Sequence, residues 1–247
     1  MALDGKVALV TGGTRGIGAA ISEALAADGA QVVAGCTSKE KAAAFYEAAD
    51  AKGLAIAVAE GNVGVPEDCE RVVQEAVDTF GHLDILVNNA GITVDRTVRK
   101  MTVDDWHAVL RVNLSGTFYM CKAALEHLVA SGSGRIINIS SVIGETGNFG
   151  QANYAASKSG QFGLTKSLAL EYASKGVTVN AITPGFIDTE MMQAIPEAIQ
   201  EQIVAKIPVG RFGRPEEIAR AVKFLAEDDA GYITGSILSV NGGLEMQ

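Results

Sequence analysis

Cysteine, proline and aromatic residues are all scarce in this chain: 247 residues hold 3 Cys, 5 Pro and 6% aromatics. The longest unbroken hydrophobic run, 54–59, stops far short of the roughly 18 residues a membrane-crossing helix requires, so no span is expected. Residues 1–6 have neither the long apolar stretch nor the cleavage pattern of a secretory signal, and the expected compartment is the cytoplasm. Cys36, Cys69 and Cys121 are odd in number and lie in apolar or helical surroundings, which points to reduced, buried thiols rather than a disulfide framework. Positive charge is short as well. Twenty Lys plus Arg stand against 29 Asp plus Glu, a net charge of −9, and no basic stripe offsets it; nucleic acid is not an expected partner. His82, His107 and His127 share no ligand spacing with Cys, Asp or Glu, so no metal is expected, and Trp106 reads as a helix-packing residue.

Apolar residues (48%) and glycine (28) are plentiful. At roughly 150 residues per domain the chain holds one large domain or two small ones. Apolar, β-branched runs at 6–10, 31–34, 54–59, 83–87, 135–139, 177–182 and 236–240 alternate with helical spacing at 17–27, 39–51, 66–80, 103–110, 117–129, 154–174 and 216–226. The first six runs are continuous rather than alternating, as strands covered on both faces must be. The expected class is α/β: a doubly wound, Rossmann-type parallel seven-stranded sheet with helices on both faces. No linker or repeat divides the chain, so 1–247 reads as a single domain. The long connection 184–213 carries helical spacing over 190–206 and reads as a flap at about 188–212 that lies over the sheet.

The first strand runs into Thr11-Gly12-Gly13-Thr14-Arg15-Gly16-Ile17-Gly18 and then a helix. A glycine-rich loop in that strand–helix setting is a pyrophosphate cradle: Gly12 permits the tight turn, Gly16 lets backbone approach the ligand, and Gly18 lets helix and strand pack closely. No Gly-Lys-Ser/Thr follows, which excludes a P-loop. A dinucleotide with a free ribose 2'-hydroxyl calls for an Asp or Glu at the end of the second strand. That stretch reads Ala34-Gly35-Cys36-Thr37-Ser38-Lys39. Arg15 and Lys39 as cations, with Thr37 and Ser38 as neutral donors, suit a 2'-phosphate instead, so the expected cofactor is NADP(H).

After the fifth strand comes Ser140-Ser141, and a helix opens with Tyr154-Ala155-Ala156-Ser157-Lys158. Tyr154 and Lys158, four apart, stack on one helix face, and Ser141 sits at a strand's carboxyl end, where open parallel sheets bind ligands.

With Asn88-Asn89-Ala90-Gly91 after strand four, Asn113 and Pro184-Gly185, these motifs occur in an order that resembles the short-chain dehydrogenase/reductase family over essentially the whole chain. The resemblance implies reduction of a ketone by hydride. A free tyrosine, with a pKa of about 10, is a sluggish acid at neutral pH. The expectation is that Lys158 and the nicotinamide lower it, so that Tyr154 donates the proton, Ser141 holds the substrate oxygen, and Lys158 binds the ribose and passes protons through water toward Asn113. Asn89, Ala90 and Gly91 belong to the cofactor wall, with Asn89 tying strand four to the cradle. The resemblance also places Asn62-Val63, where the family usually has Asp-Val, near the adenine, and Pro184, Gly185, Ile187 and Thr189 near the carboxamide.

Asn148 to Tyr154, Lys100-Met101-Thr102, Ile207-Pro208-Val209 and Asn241 to Leu244 are similar to the 3-oxoacyl thioester reductases of that family. These act on acetoacetyl-CoA or on acyl-carrier-protein thioesters, in polyhydroxybutyrate or fatty acid synthesis. The absence of Lys and Arg from 128–134 favours CoA over an acidic carrier, while Arg96, Arg99 and Lys100 suit either. Phe149 and Gln151 are candidates for contacting the acyl chain. A homotetramer packed through segments 117–129 and 161–172 is implied by the resemblance. Two readings share these residues: a non-catalytic NADP(H)-binding sensor, and a reductase of a sugar, steroid or xenobiotic ketone.

Overall fold

A computed structural model of the chain describes residues 1–193 and 195–246. Ala194, in the expected flap, and Gln247, at the end of the expected domain, lie outside the described residues, as does the side chain of Met191. The strands are β1 (Val7–Val10), β2 (Gln31–Cys36), β3 (Ile56–Glu60), β4 (Ile85–Asn88), β5 (Arg135–Ile139), β6 (Thr178–Pro184) and β7 (Ile237–Val240). They form one sheet in the order β3-β2-β1-β4-β5-β6-β7, and every neighbouring pair is parallel. The order reverses between β1 and β4, where Val10 pairs with Val87; a crevice opens there beyond the strands' carboxyl ends.

The helices are α1 (Gly16–Ala27), α2 (Lys39–Ala51), α3 (Pro66–Phe80), α4 (Val103–Leu110), α5 (Gly116–Ala130), α6 (Ile143–Thr146), α7 (Ala152–Tyr172), α8 (Glu190–Gln193), α9 (Glu197–Val204) and α10 (Pro215–Ala226). One apolar cluster, including Leu25, Ile21, Ile85, Ile137 and Leu225, joins α1, α2 and α10 to one face of the sheet. A second, including Leu9, Val73, Leu86, Met120 and Ile136, joins α3, α5 and α7 to the other. The sheet is therefore covered on both sides, and this explains why β1, β4, β5 and β6 are buried without alternation. Local chemistry sets the helix ends: Ser38 caps α2 by accepting from the Lys41 N–H, Pro66 opens α3, and Gly81 closes it at φ 91. Among the described residues no helix is long and apolar enough to cross a membrane.

Three elements differ from expectation. A π-helical turn, Arg111–Ser115, joins α4 to α5, so the segment expected to start at 117 continues an existing helix. The short α6 has no sequence forecast. The 190–206 stretch is not one helix but the separate α8 and α9, with Pro196 at the N-cap of α9, because proline cannot continue a helix through its own position. Cys69 and Cys121 are buried and Cys36 only half-buried, since it ends β2 at the crevice rather than inside the core; all three are free.

Candidate active site

The β1–α1 turn presents main chain to the crevice. Gly12 and Gly16 have φ of 61 and 51, values that favour glycine, and a Cβ on Gly18 would lie 2.0 Å from the Gly12 carbonyl oxygen. Arg15, exposed, is the N-cap of α1; its side chain makes no cap bond, and no acidic residue occupies the first turn. The positive end of α1 is thus left to an anion. Asn89 Nδ2 donates to the Thr11 and Gly12 carbonyls at 3.0 and 3.1 Å, and Thr11 Oγ1 accepts from the N–H groups of Asn89 and Ala90, both at 3.0 Å. The end of β4 is stitched to the cradle in this way. These groups fit a dinucleotide's pyrophosphate: backbone donors, a helix N-terminus, and no side chain where the ligand would sit.

At the end of β2 the residues are more occupied than their order suggests. The Lys39 ammonium is turned to Glu75 at 3.1 Å, and its N–H donates to Glu60 Oε2 at 2.9 Å. Lys39 is therefore held by carboxylates and does not stand free for a phosphate. Half-buried Ser38 serves through Oγ as the α2 cap, while exposed Thr37 and Arg15 make no such bond among the described residues. Asn62 Oδ1 accepts from the Gly64 N–H at 2.9 Å, and the Val63 carbonyl lies where a Cβ on Gly116 would meet it at 2.9 Å, so both residues fix the turn before α3 against the start of α5.

Across the crevice β5 delivers Ser140 and Ser141, and α7 delivers Tyr154 and Lys158. Ser140 Oγ donates to the Lys158 carbonyl at 2.9 Å, which locks strand to helix. Ser141 hydrogen-bonds the Tyr154 side chain and accepts from the Ile143 N–H at 3.1 Å. Lys158 Nζ donates to the Ile139 carbonyl at 2.7 Å and lies 5.7 Å from the Tyr154 ring centroid. A Cβ on Gly91 would lie 3.4 Å from Asn113 Oδ1 and 3.7 Å from Lys158 Nζ, so Ser141, Tyr154, Lys158, Gly91 and Asn113 share one small volume beside the cradle.

Desolvation dominates the electrostatics. Burial lowers the Lys158 pKa to about 8, and burial raises that of Tyr154, opposed by the Ser141 hydrogen bond and reinforced by Asp95. From the protein's own groups the net shift of the phenol is upward, with the Lys158 ammonium turned to a main-chain carbonyl; the expected lowering takes in the nicotinamide's charge as well.

The β6 end completes the crevice. Gly185 approaches Asn241 so closely that a Cβ would meet its carbonyl oxygen at 2.8 Å. The Pro184 carbonyl accepts from the Val142 N–H at 2.9 Å, Ile187 bridges to Gly213, and Thr189 Cγ2 would stand 3.7 Å from a Cβ on Gly16. Thr189 therefore faces the cradle glycine. Phe149 is 88% exposed, and Gln151 is engaged by Asp95, with Nε2 at 3.1 and 3.0 Å from its two carboxylate oxygens. Arg96 is paired with Asp105 at 3.1 Å, leaving Arg99 and Lys100 as the exposed cations of that loop that make no ion pair among the described residues.

The family model described as enoyl-(acyl carrier protein) reductase matches residues 12–245. The chain belongs to the short-chain dehydrogenase/reductase family. It is 49% identical, over the full length of both chains, to the 3-oxoacyl-[acyl-carrier-protein] reductase FabG of Vibrio cholerae serotype O1. It is 48% identical, again over both full lengths, to the protein of that name from Escherichia coli. Acetoacetyl-CoA reductase of Shinella zoogloeoides is 51% identical, over 96% of this chain and 98% of that protein. This short-chain dehydrogenase/reductase is thus an oxidoreductase of a family that binds a nicotinamide cofactor.

The surroundings of Asn113 were not foreseen from the sequence. Asn113 lies in the π-helical turn; its side chain accepts from the Ile92 N–H at 2.8 Å and donates to the Ile92 carbonyl at 3.0 Å, holding the loop after β4. Its main-chain carbonyl accepts from Thr117 Oγ1 at 2.8 Å and from Gln161 Nε2 at 2.7 Å. Gln161 and Ser157, which hydrogen-bonds Asn113 at 3.2 Å, are fully buried on α7. A buried glutamine one turn beyond the Tyr154/Lys158 pair breaks the apolar pattern of a packing helix, and that break was the available clue.

Proposed function

We propose that this reductase transfers hydride from NADPH to the 3-oxo group of an acyl thioester, with acetoacetyl-CoA as the first substrate. The observation that carries the reading is the convergence of Ser141, Tyr154 and Lys158 at the end of β5, against a cradle built of backbone. The nicotinamide, when bound, supplies hydride to the carbonyl carbon. Ser141 Oγ donates to the carbonyl oxygen and stabilises the charge that grows there. Tyr154 then gives its proton to that oxygen; burial keeps the phenol protonated, which is the form a donor needs in the direction of reduction. Lys158, beside Gly91, holds the ribose hydroxyls and passes a proton from the Asn113 side, through water, back to the Tyr154 oxygen. Asn89 and Ala90 wall the cofactor with Gly91; Ile17, behind Gly16, opens the helix whose N-terminus takes the pyrophosphate.

The 2'-phosphate is assigned to Arg15, Thr37 and Ser38, because the end of β2 offers no carboxylate; Lys39 reaches it only by leaving Glu75. Asn62 and Val63 flank the adenine, while Pro184, Gly185, Ile187 and Thr189 meet the carboxamide. Phe149 and Gln151 line the acyl entrance, and α8 and α9, neither with a buried residue among those described, form the flap that closes over it. Phe118 and Leu170, 46% and 86% exposed on α5 and α7, are the faces through which a homotetramer forms. Three free thiols suit a reducing cytoplasm.

Segment 128–134 enters β5 at the end opposite Ser141, so its lack of cations has no bearing on how a carrier docks. The preference for CoA rests instead on similarity to an acetoacetyl-CoA reductase, 51% identical over 96% of this chain, and on a net charge of −9, which repels a large acidic carrier. Thioesters of acyl carrier protein are the second reading, favoured by full-length similarity to the FabG proteins. Purified protein mixed with NADPH and acetoacetyl-CoA should lower nicotinamide absorbance, with a higher kcat/KM than for the matched carrier thioester or with NADH. A flat trace with every thioester would leave a sensor or a reductase of another ketone. A larger kcat/KM for the carrier substrate would reverse the order of the two readings.

A further inference from the structure

The segment leading from α9 into α10 is fastened to the turn after β6. Gly213 forms an isolated parallel bridge with Ile187: its N–H donates to the Phe186 carbonyl at 2.9 Å, and its carbonyl accepts from the Asp188 N–H at 2.8 Å. In such a bridge the residues flanking the paired one supply the hydrogen bonds, so the N–H and C=O of Ile187 itself point to the opposite side. The contact is close. A Cβ on Gly213 would lie 2.6 Å from Ile187 Cδ1, and Ile187 is 6% exposed.

Glu217 ion-pairs on both sides of Gly213, with Arg211 at 2.7 Å and, more loosely, with Arg214 at 3.9 Å. Arg211 Nη1 donates to Glu217 Oε2 at 2.8 Å and Nη2 to Oε1 at 2.7 Å, a two-pronged geometry, and Nη1 also donates to the Phe212 carbonyl at 2.8 Å. Glu217 Oε2 accepts from the Arg214 N–H at 2.8 Å. The residues on either side of Gly213 are thus tied to the same guanidinium–carboxylate pair. Beneath the turn Ile187, Arg211, Gly213 and Glu217 border a cavity of about 240 Å³, so packing from that side does not do the same work. The ordinary role for Glu217 is a cap at the third position of α10. That role accounts for its bond to Arg214 and leaves the Arg211 fork unexplained.

We propose that Arg211 and Glu217 are positioning residues that fix the Ile187 main chain for the carboxamide end of the dinucleotide. The proposal rests on the nicotinamide site assigned above. Neither side chain touches reacting atoms; the pair withholds alternative conformations from 186–188.

Arg211→Gln cuts the fork and leaves Glu217 capping α10, whereas Glu217→Gln keeps a neutral acceptor at the cap and removes the charge. Titration calorimetry on the full chain measures Kd for NADPH and for 2',5'-ADP, which lacks the nicotinamide half; amide hydrogen exchange reads the Asp188 N–H without any ligand. Each variant should weaken NADPH about fivefold to tenfold, the scale of one lost hydrogen bond, and leave 2',5'-ADP unchanged. Asp188 exchange should quicken, and the double variant should be no worse than either single one. Unchanged NADPH affinity, or equal loss for both ligands with a lowered melting temperature, overturns the proposal. Wild-type protein that melts normally but ignores NADPH overturns the cofactor reading instead, and the exchange experiment still reports whether the pair holds the turn.

Discussion

At the β1–α1 turn a single methyl group added to Gly18 would stand 2.0 Å from the Gly12 carbonyl, whereas α7 buries the polar side chains of Asn153, Ser157, Lys158, Gln161 and Thr165. The β1–α1 turn is made by leaving side chains out, and α7 by taking in side chains that a core ordinarily rejects. Backbone donors at a helix N-terminus come with the fold and carry only partial charge. A buried ammonium carries a full charge and must be desolvated on every folding event. The first region therefore fails sterically when altered, and the second fails chemically; stability and activity should move together in one and apart in the other.

The largest effect should separate them at once. Tyr154→Phe removes the proposed proton donor without changing shape, so kcat should fall by roughly 10²–10⁴ while NADPH affinity and the unfolding midpoint stay near wild type. A variant that loses cofactor binding as well would show that α7 behaves like the cradle. Gly18→Ala is the converse: overpacking of this kind costs about 1–3 kcal/mol, and calorimetry should find stability and NADPH affinity lost together. A Gly18→Ala protein with wild-type affinity would break the contrast.

Lys158→Met tests the cost of inclusion. The folded pKa of Lys158 is about 8 against an ordinary 10.5, a shift worth about 3 kcal/mol, from which the orphaned Ile139 carbonyl subtracts about 1. Activity should vanish while stability at pH 7 rises by about 2 kcal/mol. Because the folded value is depressed, the unfolded chain binds the extra proton between pH 8 and 10.5, and wild-type stability should climb with pH relative to the variant in that window alone. Urea unfolding of both proteins at pH 7 and 10 measures the difference. A gap that fails to narrow at pH 10 would mean that the lysine is not desolvated.

The cradle was the more legible region because its requirement is written as glycine at fixed spacing, and a missing side chain needs no partner to interpret. The seven strands were legible for a related reason: continuous β-branched runs have few alternatives. On α7 the spacing of Tyr154 and Lys158 placed both on one face, but the direction in which Nζ turns depends on the Ile139 carbonyl, which arrives from a strand 19 residues earlier. The partner of Lys39 was illegible for the same reason, since Glu75 reaches it from α3. The π-helical turn at Asn113 left no local mark at all: Thr117 from the same helix and Gln161 from a distant one satisfy its carbonyl, and only tertiary structure brings Gln161 there.

Cysteine placement offers a built-in stopwatch. Cys121 is 1% exposed and its thiol is pushed up to about 12, so an alkylating reagent can reach it only when the interior opens. Cys36, half-buried beside the residues assigned to the 2'-phosphate, is the thiol that a reagent meets first. One sample labelled over time thus yields two clocks, a fast one that a bound nucleotide should slow and a slow one that ticks only with global unfolding.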